Sequence, residues 1–338
     1  MRLYVNDSII EVNEAQCVRT ATVLKDVIKQ LSIDEFIDPE YYPPKDADPE
    51  VIARYFIFMV AIDHRTSRYE PFEGVVDGRF YHGADLLYRL GSKKLNEDPD
   101  FFSPQRMSKL SVSSLANWLS IKTPRGIVTI WDPEVRTELL RDLALKLIKY
   151  YGGKVLNLLN ASNNTLKSPL TQGLIDRLKA FKAYSDPVEK KAYLFVKFIS
   201  RRGIFSYKDV ENSEVPVDNH LVRIALRLEL IKIRGKLLEK ISKSIEFNHD
   251  EDMMLRYAVR RAYKLLSIII GIDPLILDDF LWFFGRKCCT KYRPICEDSK
   301  TCKGLGVVLK KCPLIDICPS SKTSKKLTEH VYVNTFYY

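Results

Sequence analysis

Six of the seven cysteines lie close together, between Cys288 and Cys318 of the 338-residue sequence. Cys289 and Cys296 enclose six residues, Cys312 and Cys318 enclose five, and fifteen residues separate these two pairs. A secreted disulfide protein would spread its cysteines over the fold, whereas a tight cluster in a reducing compartment indicates metal. Zinc sites usually pair ligands with two residues between them, and no such pair is present. The wider spacings fit a four-iron cluster, which takes four thiolates, better than they fit zinc.

Two alternatives to the iron–sulfur cluster remain: a structural zinc site, and reduced cysteines that pack as small apolar residues. Cys302 lies between the two pairs and could replace one ligand, while Cys288 adjoins a ligand and is expected to be spare. Basic side chains beside the cysteines are expected to lower the pKa of the thiols. These are Lys287, Lys291, Arg293 and Lys311.

A carboxylate stands where a predicted helix begins. Asp218 precedes a segment whose apolar positions include Leu221, Ala225 and Leu228, which places it at or next to the helix N-cap. Most such aspartates only accept backbone N–H groups. The same position keeps a carboxylate ionised and oriented, ready to stabilise a positive, sugar-like transition state. The residues alone leave both interpretations open.

Two stretches resemble one family. The segment from Phe284 to Cys289, its C-x6-C spacing and the closing Cys312–Cys318 spacing resemble the iron–sulfur loop of helix-hairpin-helix (HhH-GPD) DNA glycosylases. The family's loop runs C-x6-C-x2-C-x5-C, so the middle spacing is stretched here. Residues 217–223 resemble the family's V-D-x-H-V-x-R catalytic stretch, with Leu221 in place of the second valine. The resemblance implies an all-helical fold, a catalytic Asp218 and a [4Fe–4S] cluster with four ligands. Those ligands would be Cys289, Cys296, Cys312 and Cys318.

The resemblance also implies an amine, since glycosylases that cut the DNA backbone attack C1′ with one. The amine must be partly neutral, which requires a lysine on an apolar face, where desolvation lowers its pKa. On the helix predicted over residues 188–201, Lys191 meets this requirement, and Lys190 is expected to be more solvated. The apolar residues on the face of Lys191 are Leu194, Phe195 and Phe198. A surface cation is the alternative for Lys191.

One departure from the family bears on the partner. Where the family has a glycine-rich hairpin whose N–H groups bind a DNA phosphate, this sequence has residues 186–189, Asp-Pro-Val-Glu. We therefore expect the binding of duplex DNA to be altered or lost. Arg201 and Arg202 are candidate phosphate contacts, with a solvated turn as the alternative. Asp63 and His64 could hydrogen-bond an extruded base, although the end of a helix explains them as well.

The whole sequence agrees with a globular, nucleic-acid-binding protein. Its hydrophobic fraction of 46% suits a packed core, and its net charge of +10 favours a polyanionic partner. Residues 285–326 hold eleven Lys or Arg against three Asp or Glu, so this segment is expected to contact phosphates. No signal peptide or membrane-spanning stretch is recognisable, which predicts a cytoplasmic, nucleoid-associated protein.

Hydrophobic periodicity predicts a mainly α fold. Helices are expected over 19–31, 49–62, 84–90, 112–121, from 133 onwards, and over 174–183, 188–201, 219–234, 252–270 and 276–284. Strands are expected only at 2–5 and 126–130, and an irregular loop at 68–83. Asp132 is expected to cap the helix that begins at Pro133. The expected division is an N-terminal helical segment (1–48), a glycosylase-like core (49–284), a cluster loop (285–320) and a tail (321–338).

The first hypothesis is therefore a monomeric DNA-repair N-glycosylase, with or without AP lyase activity, that excises a damaged or mismatched base from duplex DNA. The second is an N-glycosidase that acts on a modified nucleoside or on RNA. The third is a non-catalytic nucleic-acid-binding protein braced by a metal cluster.

Overall fold

The structure is a computed structural model that describes residues 1–298, 300–323 and 326–338. The mainly α fold class is confirmed, since helices dominate these residues and the strands are short. The helices are α1 (Glu14–Ile28), α2 (Pro49–Ala61), α3 (Ala84–Glu97), α4 (Pro104–Met107), α5 (Val112–Trp118), α6 (Pro133–Tyr151), α7 (Val155–Ala161), α8 (Leu174–Leu178), α9 (Lys190–Arg201), α10 (Asn219–Arg227), α11 (Lys236–Lys243), α12 (His249–Ile270) and α13 (Pro274–Phe283). The strands are β1 (Arg2–Val5), β2 (Ser8–Val12), β3 (Glu73–Val76), β4 (Arg79–His82), β5 (Ser120–Thr123), β6 (Gly126–Thr129), β7 (Ile231–Arg234), β8 (Cys302–Gly304) and β9 (Val307–Leu309).

Strands were expected only at 2–5 and 126–130, but the described residues form nine, and two predicted elements have a different structure. The predicted loop over 68–83 contains the antiparallel hairpin β3–β4, whose turn is Asp77-Gly78, both residues with positive φ. Such a turn matches the twist of two paired strands, and Asp-Gly is one of its preferred dipeptides. The predicted helix over 219–234 ends at Arg227, and its last residues form β7 instead.

The chain divides into two compact units. The first, unit 1, contains Met1–Asp34 and Ser213–Asn334, and the second, unit 2, contains Glu35–Asn212 and Thr335–Tyr338. Each unit combines residues that are distant in sequence, and the predicted division into four segments stays a prediction. Ser299 of the predicted loop and two residues of the predicted tail, Ser324 and Lys325, lie outside the described residues.

Unit 1 is built around α12. This helix packs against α1, α10 and α13 and against the antiparallel sheet β1–β2–β7, in which Ile10 pairs with Ile233. A capping box of Asn248 and Glu251 starts α12, and Gly271 in the left-handed conformation ends it. The apolar face of α10 lies in the same core, which fixes the start of α10 at Asp218.

Unit 2 is built around α2. Asp48 caps this helix by accepting the N–H groups of Glu50 and Val51, and Pro49 occupies its first turn. Every apolar residue from Ile52 to Ala61 is buried, and α2 packs against α3, α6, α7 and α9. The helix ends at Ala61, so its last carbonyl groups are deep inside the unit.

No helix within the described ranges is long and apolar enough to cross a membrane.

A buried ion pair in α12 gives a stability prediction. The Asp252 carboxylate is fully buried, 3.2 Å from Arg256 Nη2 and 2.7 Å from His330 Nε2. Asp252→Ala removes this carboxylate from a buried guanidinium and should lower the free energy of unfolding by about 3–5 kcal/mol. The control is Glu239→Ala, which breaks an exposed pair with Lys243 and should cost at most about 0.5 kcal/mol. Urea unfolding followed by circular dichroism measures both, and equal losses would contradict the prediction.

Candidate active site

Two lysines of α9 bind the C-terminal end of α2. The last four carbonyl groups of a helix have no partner within the helix, and a buried one must find a donor elsewhere. Lys191 Nζ donates to the Ala61 carbonyl at 2.6 Å, and Lys190 Nζ donates to the Asp63 carbonyl at 3.2 Å. Lys190 is 7% exposed and Lys191 is fully buried, so Lys190 is the more solvated of the two, as expected, although both are buried. Its burial is compensated by the Asp63 carboxylate, whose Oδ2 lies 3.3 Å from Lys190 Nζ.

Arg136 of α6 binds the same region. Its fully buried guanidinium donates to the carbonyls of Ile62, Arg65 (2.6 Å) and Trp131 (2.9 Å). Its Nε also lies 3.0 Å from Asp132 Oδ1. Lys190, Lys191 and Arg136 thus meet at the negative end of the α2 dipole, where cations are stabilised.

His64 joins two of these groups. Its Nδ1 lies 3.3 Å from Lys191 Nζ, and its Nε2 lies 3.3 Å from Asp132 Oδ2. The imidazole is fully buried, and the Asp132 side chain is only 13% exposed. Asp132, His64 and Lys191 therefore form one chain of polar contacts inside unit 2.

The environment favours neutral forms of the lysine and the histidine. Burial, and then the charges of Lys190 and Arg136, hold the pKa of Lys191 well below its ordinary value of 10.5. Burial also holds the pKa of His64 well below 6.5, and Arg136 is the next cause. For Asp132, burial raises the pKa to about 6 although Arg136 opposes this. At neutral pH the arrangement is an ionised Asp132, a neutral His64 and an amine with an unusually large neutral fraction.

The pairing of charges leads to the same conclusion. Lys190 pairs with Asp63, and Arg136 pairs with Asp132. Among the residues that the structure describes, no carboxylate lies within ion-pair distance of Lys191 Nζ. The centroid of the Phe336 ring is 6.0 Å from this nitrogen. A buried amine without a carboxylate partner favours the uncharged form.

The structure thus brings together three of the predicted site residues, Lys191, Asp63 and His64. Their roles in catalysis and base binding stay predictions, and both ring nitrogens of His64 already have partners. Arg202 donates to the carbonyls of Phe36, Pro43 and Pro44 at 2.6–2.9 Å.

The guanidinium of Arg202 therefore already binds the backbone of residues 36–44. Arg201 is the last residue of α9 and is half-buried. Contacts of these two arginines with phosphate stay predictions.

The sequence did not predict the contacts that Asp132 and Arg136 make in this cluster. Asp132 was expected to cap α6, but its side chain makes no cap hydrogen bond there. It turns instead to His64 and Arg136. Nothing in the local sequence distinguishes this aspartate from an ordinary cap.

In the segment before α9, an aspartate side chain accepts hydrogen bonds from nearby backbone N–H groups. The Asp186 carboxylate is almost fully buried and accepts the N–H groups of Val188 at 3.0 Å and Lys190 at 2.9 Å. The buried carboxylate of Glu189 pairs with Lys167 at 2.7 Å and Lys179 at 2.5 Å. This segment therefore has an acidic interior in place of free N–H groups.

In unit 1, Asp218 caps α10. Its Oδ1 accepts the N–H of Leu221 at 3.0 Å, so this aspartate has the capping role that was one of its two interpretations. Its catalytic role stays a prediction. Later in the same helix, Arg223 donates to the carbonyls of Gly285 at 2.7 Å and Cys289 at 3.0 Å.

Arg227, one turn further, donates to Cys289 Sγ at 3.2 Å and to the carbonyls of Thr290 and Lys291. The two arginines therefore tie the cysteine loop to the helix that begins at Asp218. The sequence showed them only as part of a motif.

The four predicted cluster ligands line one pocket, about 400 Å³ in volume including its open part. They are Cys289, Cys296, Cys312 and Cys318. Cys288 and Cys302 are not part of its lining, and Cys302 Sγ donates to the Lys287 carbonyl at 3.3 Å. Within the described residues, no three His, Cys, Asp or Glu side chains are placed to hold a single metal ion.

The expected effect of the basic residues on the thiols is wrong. Burial raises the pKa of Cys312 to about 12, and it also raises the pKa of Cys296 and Cys318. The desolvation of these thiols outweighs the charges of nearby lysines and arginines.

Residues 66–291 match the family model described as queuosine salvage protein, over more than half of the chain. The chain belongs to the queuosine salvage protein family. The matched part of this family member includes Asp132, Lys191 and Asp218, whereas Asp63 and His64 lie just before it. A comparison with curated proteins finds no match.

Solved structures of DNA glycosylases resemble this queuosine salvage family member at low identity. A thermostable thymine-DNA glycosylase is 14% identical, with a TM-score of 0.46, over 91% of this chain and 97% of its own. A trapped endonuclease III–DNA covalent intermediate is 13% identical, with a TM-score of 0.47, over 92% and 98%. The 8-oxoguanine DNA glycosylase from Pyrobaculum aerophilum is 16% identical, with a TM-score of 0.42, over 81% and 87%. Likenesses this weak carry no inference about substrate.

Proposed function

We propose that this protein is an N-glycosidase that releases the base of a modified nucleoside of the queuosine class. The family name supports the substrate class. Queuosine is a modified nucleoside, and cleavage of the bond between its base and its ribose is the salvage step that we propose. The observation that carries the reaction is the buried Lys191 amine, which contacts His64 and has no carboxylate partner in the described part of the chain.

The segment before α9 favours a nucleoside over duplex DNA. A glycine-rich hairpin at this place would bind a DNA phosphate through free N–H groups. Here the N–H groups of Val188 and Lys190 are bonded to the buried carboxylate of Asp186. The negative charge of Glu189 is balanced by Lys167 and Lys179, but that of Asp186 faces these N–H groups directly. A phosphate would have to displace the Asp186 carboxylate, and like charges repel.

The proposed chemistry uses the neutral amine of Lys191. Nζ attacks C1′ of the ribose, and the bond from C1′ to the base breaks. The base leaves with a proton, the sugar ring opens to an imine on Lys191, and water hydrolyses this imine. The net reaction consumes one water molecule and yields the free base and ribose. Asp63, whose carboxylate is 16% exposed, would accept an N–H group of the base.

Lys191→Met tests the proposal, because methionine keeps the length and the apolar stem but has no amine. Wild-type protein incubated with queuosine should release the free base, as measured by liquid chromatography and mass spectrometry. Borohydride should trap the ribose on Lys191. Lys191→Met should lose both, with a fall in rate on the order of 10⁴-fold. The matched control is Lys154→Met, since Lys154 is exposed at the start of α7.

Three substrates separate the hypotheses: queuosine, guanosine and a DNA duplex with oxidised guanine or an abasic site. Base release from the duplex but not from queuosine would restore the DNA-repair hypothesis. If no substrate releases its base, the hypothesis of a non-catalytic nucleic-acid-binding protein remains. Release without a borohydride adduct would remove Lys191 as the nucleophile.

Asp218 supplies a second test. We propose that its carboxylate also contributes to base release by stabilising a positive, sugar-like transition state, as the resemblance implies. In Asp218→Asn the cap persists, because asparagine caps a helix as well as aspartate does. Thermal unfolding should therefore stay unchanged while base release falls by about 10²–10³-fold. Unchanged base release would show that Asp218 only caps α10 and has no catalytic role.

We propose in addition that Cys289, Cys296, Cys312 and Cys318 hold a [4Fe–4S] cluster. Each cysteine of such a cluster binds a different iron, so the four sulfurs surround a space rather than meet at one point. The four thiols around one pocket, without a site for a single ion in the described residues, fit this donor set. When bound, the cluster would cross-link the loop. The hydrolysis itself transfers no electrons.

Cys296→Ser tests the cluster. Anaerobically purified wild-type protein should contain about four iron atoms and four sulfide ions per chain, as the composition of the cluster requires. Cys296→Ser should lose most of both, measured by metal and sulfide analysis. Cys302→Ser, outside the pocket, should keep them. Loss of iron in Cys302→Ser would make Cys302 a ligand, and zinc in place of iron would establish the zinc alternative.

A further inference from the structure

Three helices provide an internal comparison for Asp132. Helices α2, α6 and α13 each begin with proline after aspartate. Asp48 (φ −53°, ψ 132°) and Asp273 (φ −63°, ψ 135°) are extended, and their carboxylates cap the following helix. Asp132 is also followed by proline, but it adopts φ 53° and ψ 54° and makes no cap hydrogen bond.

This conformation is costly and needs a reason. For a residue with a side chain, the left-handed region costs on the order of 1–3 kcal/mol, and the lost cap adds about 1 kcal/mol. What Asp132 gains is the contact of Oδ2 with His64 Nε2 and of Oδ1 with Arg136 Nε. Other non-glycine residues with positive φ are present, so the inference rests on these contacts and not on the backbone conformation alone.

We propose that Asp132 is a positioning residue, which holds the His64 ring so that Nδ1 accepts a proton from the Lys191 amine. This inference rests on the proposed function. An ionised carboxylate only accepts hydrogen bonds, so His64 must carry its hydrogen on Nε2. A neutral imidazole then presents an unprotonated Nδ1, and this is the atom 3.3 Å from Lys191 Nζ. The hydrogen on Nε2 and the unprotonated Nδ1 both follow from the contact between Asp132 and His64.

The proton has a complete path. When Nζ bonds to C1′, the nitrogen gains a positive charge and passes a proton to His64 Nδ1. The imidazolium that results is stabilised by the Asp132 carboxylate, as in other arrangements of nucleophile, histidine and aspartate. His64 then gives this proton to the leaving base, and water completes the hydrolysis. Asp132 itself exchanges no proton.

The charged groups around the pair set the pH dependence. Burial raises the pKa of Asp132 to about 6, while Arg136 and Lys191 lower it and Glu134 raises it. His64 faces Arg136, Lys191 and Lys190, which all lower its pKa. Below about pH 6, Asp132 gains a proton and no longer fixes the tautomer. The rate of base release should therefore fall as the pH falls through about 6.

Asp132→Asn tests this inference, because asparagine keeps the size but not the charge. Its amide can donate to Nε2, which would move the ring hydrogen to Nδ1. Nitrogen-15 NMR of histidine-labelled protein reports the tautomer without any substrate. We expect hydrogen on Nε2 in the wild type and on Nδ1 in Asp132→Asn. Base release should fall by about 10²–10⁴-fold, and the decline near pH 6 should disappear.

Asp48→Asn is the matched control, because it changes the same Asp-Pro pair where the aspartate is an ordinary cap. It should leave the His64 tautomer, the rate and the pH profile unchanged. Hydrogen on Nδ1 in the wild type would overturn the inference without any variant. A slower Asp132→Asn that keeps the wild-type tautomer and pH profile would also overturn it, since Asp132 would then act only on folding. If the wild type releases no base, the proposed function fails, while the tautomer still decides the positioning role.

Discussion

The C-terminal end of α2 is the constraint on which the rest of unit 2 depends. The helix is apolar on all sides and buried, so its last carbonyl groups end where water cannot reach them. An unpaired buried carbonyl costs about 1–3 kcal/mol, and several lie close together here. Donors from α9 and α6 meet this need: Lys191 binds the Ala61 carbonyl, Arg136 binds that of Ile62, and Lys190 binds that of Asp63 just beyond the helix. The polar cluster therefore follows from burying a hydrophobic helix to its very end.

Burying three cations creates a second constraint. Two carboxylates, Asp63 and Asp132, lie close enough to compensate two of them. Within the described residues the third, Lys191, has a carbonyl and an imidazole as its neighbours. The least costly solution is an uncharged amine, since desolvation opposes its charged form and nearby cations repel it. The packing of the unit thus favours an uncharged amine at Lys191.

Sequence patterns predicted more of the helices than of the site. Periodic apolar residues and Pro at the first turn located α2, α6, α9 and α13 to within a few residues, because these signals are local. The hairpin β3–β4 was missed although Asp77-Gly78 marks its turn. The burial of Lys191 was foreseeable from its apolar face. Its contact with His64 was not, because 127 residues separate the two in sequence and only the fold brings them together.

Asp132 shows why local rules fail at such a site. Three Asp-Pro pairs with similar sequence signals start helices, and two behave as caps while the third does not. The difference comes from what each carboxylate can reach. Near Asp132 lie a buried guanidinium and a buried imidazole, and bonds to buried charged partners are worth more than a cap that water could replace. At Asp132 the chain therefore adopts a left-handed backbone and gives up the cap, because its carboxylate bonds two buried partners instead.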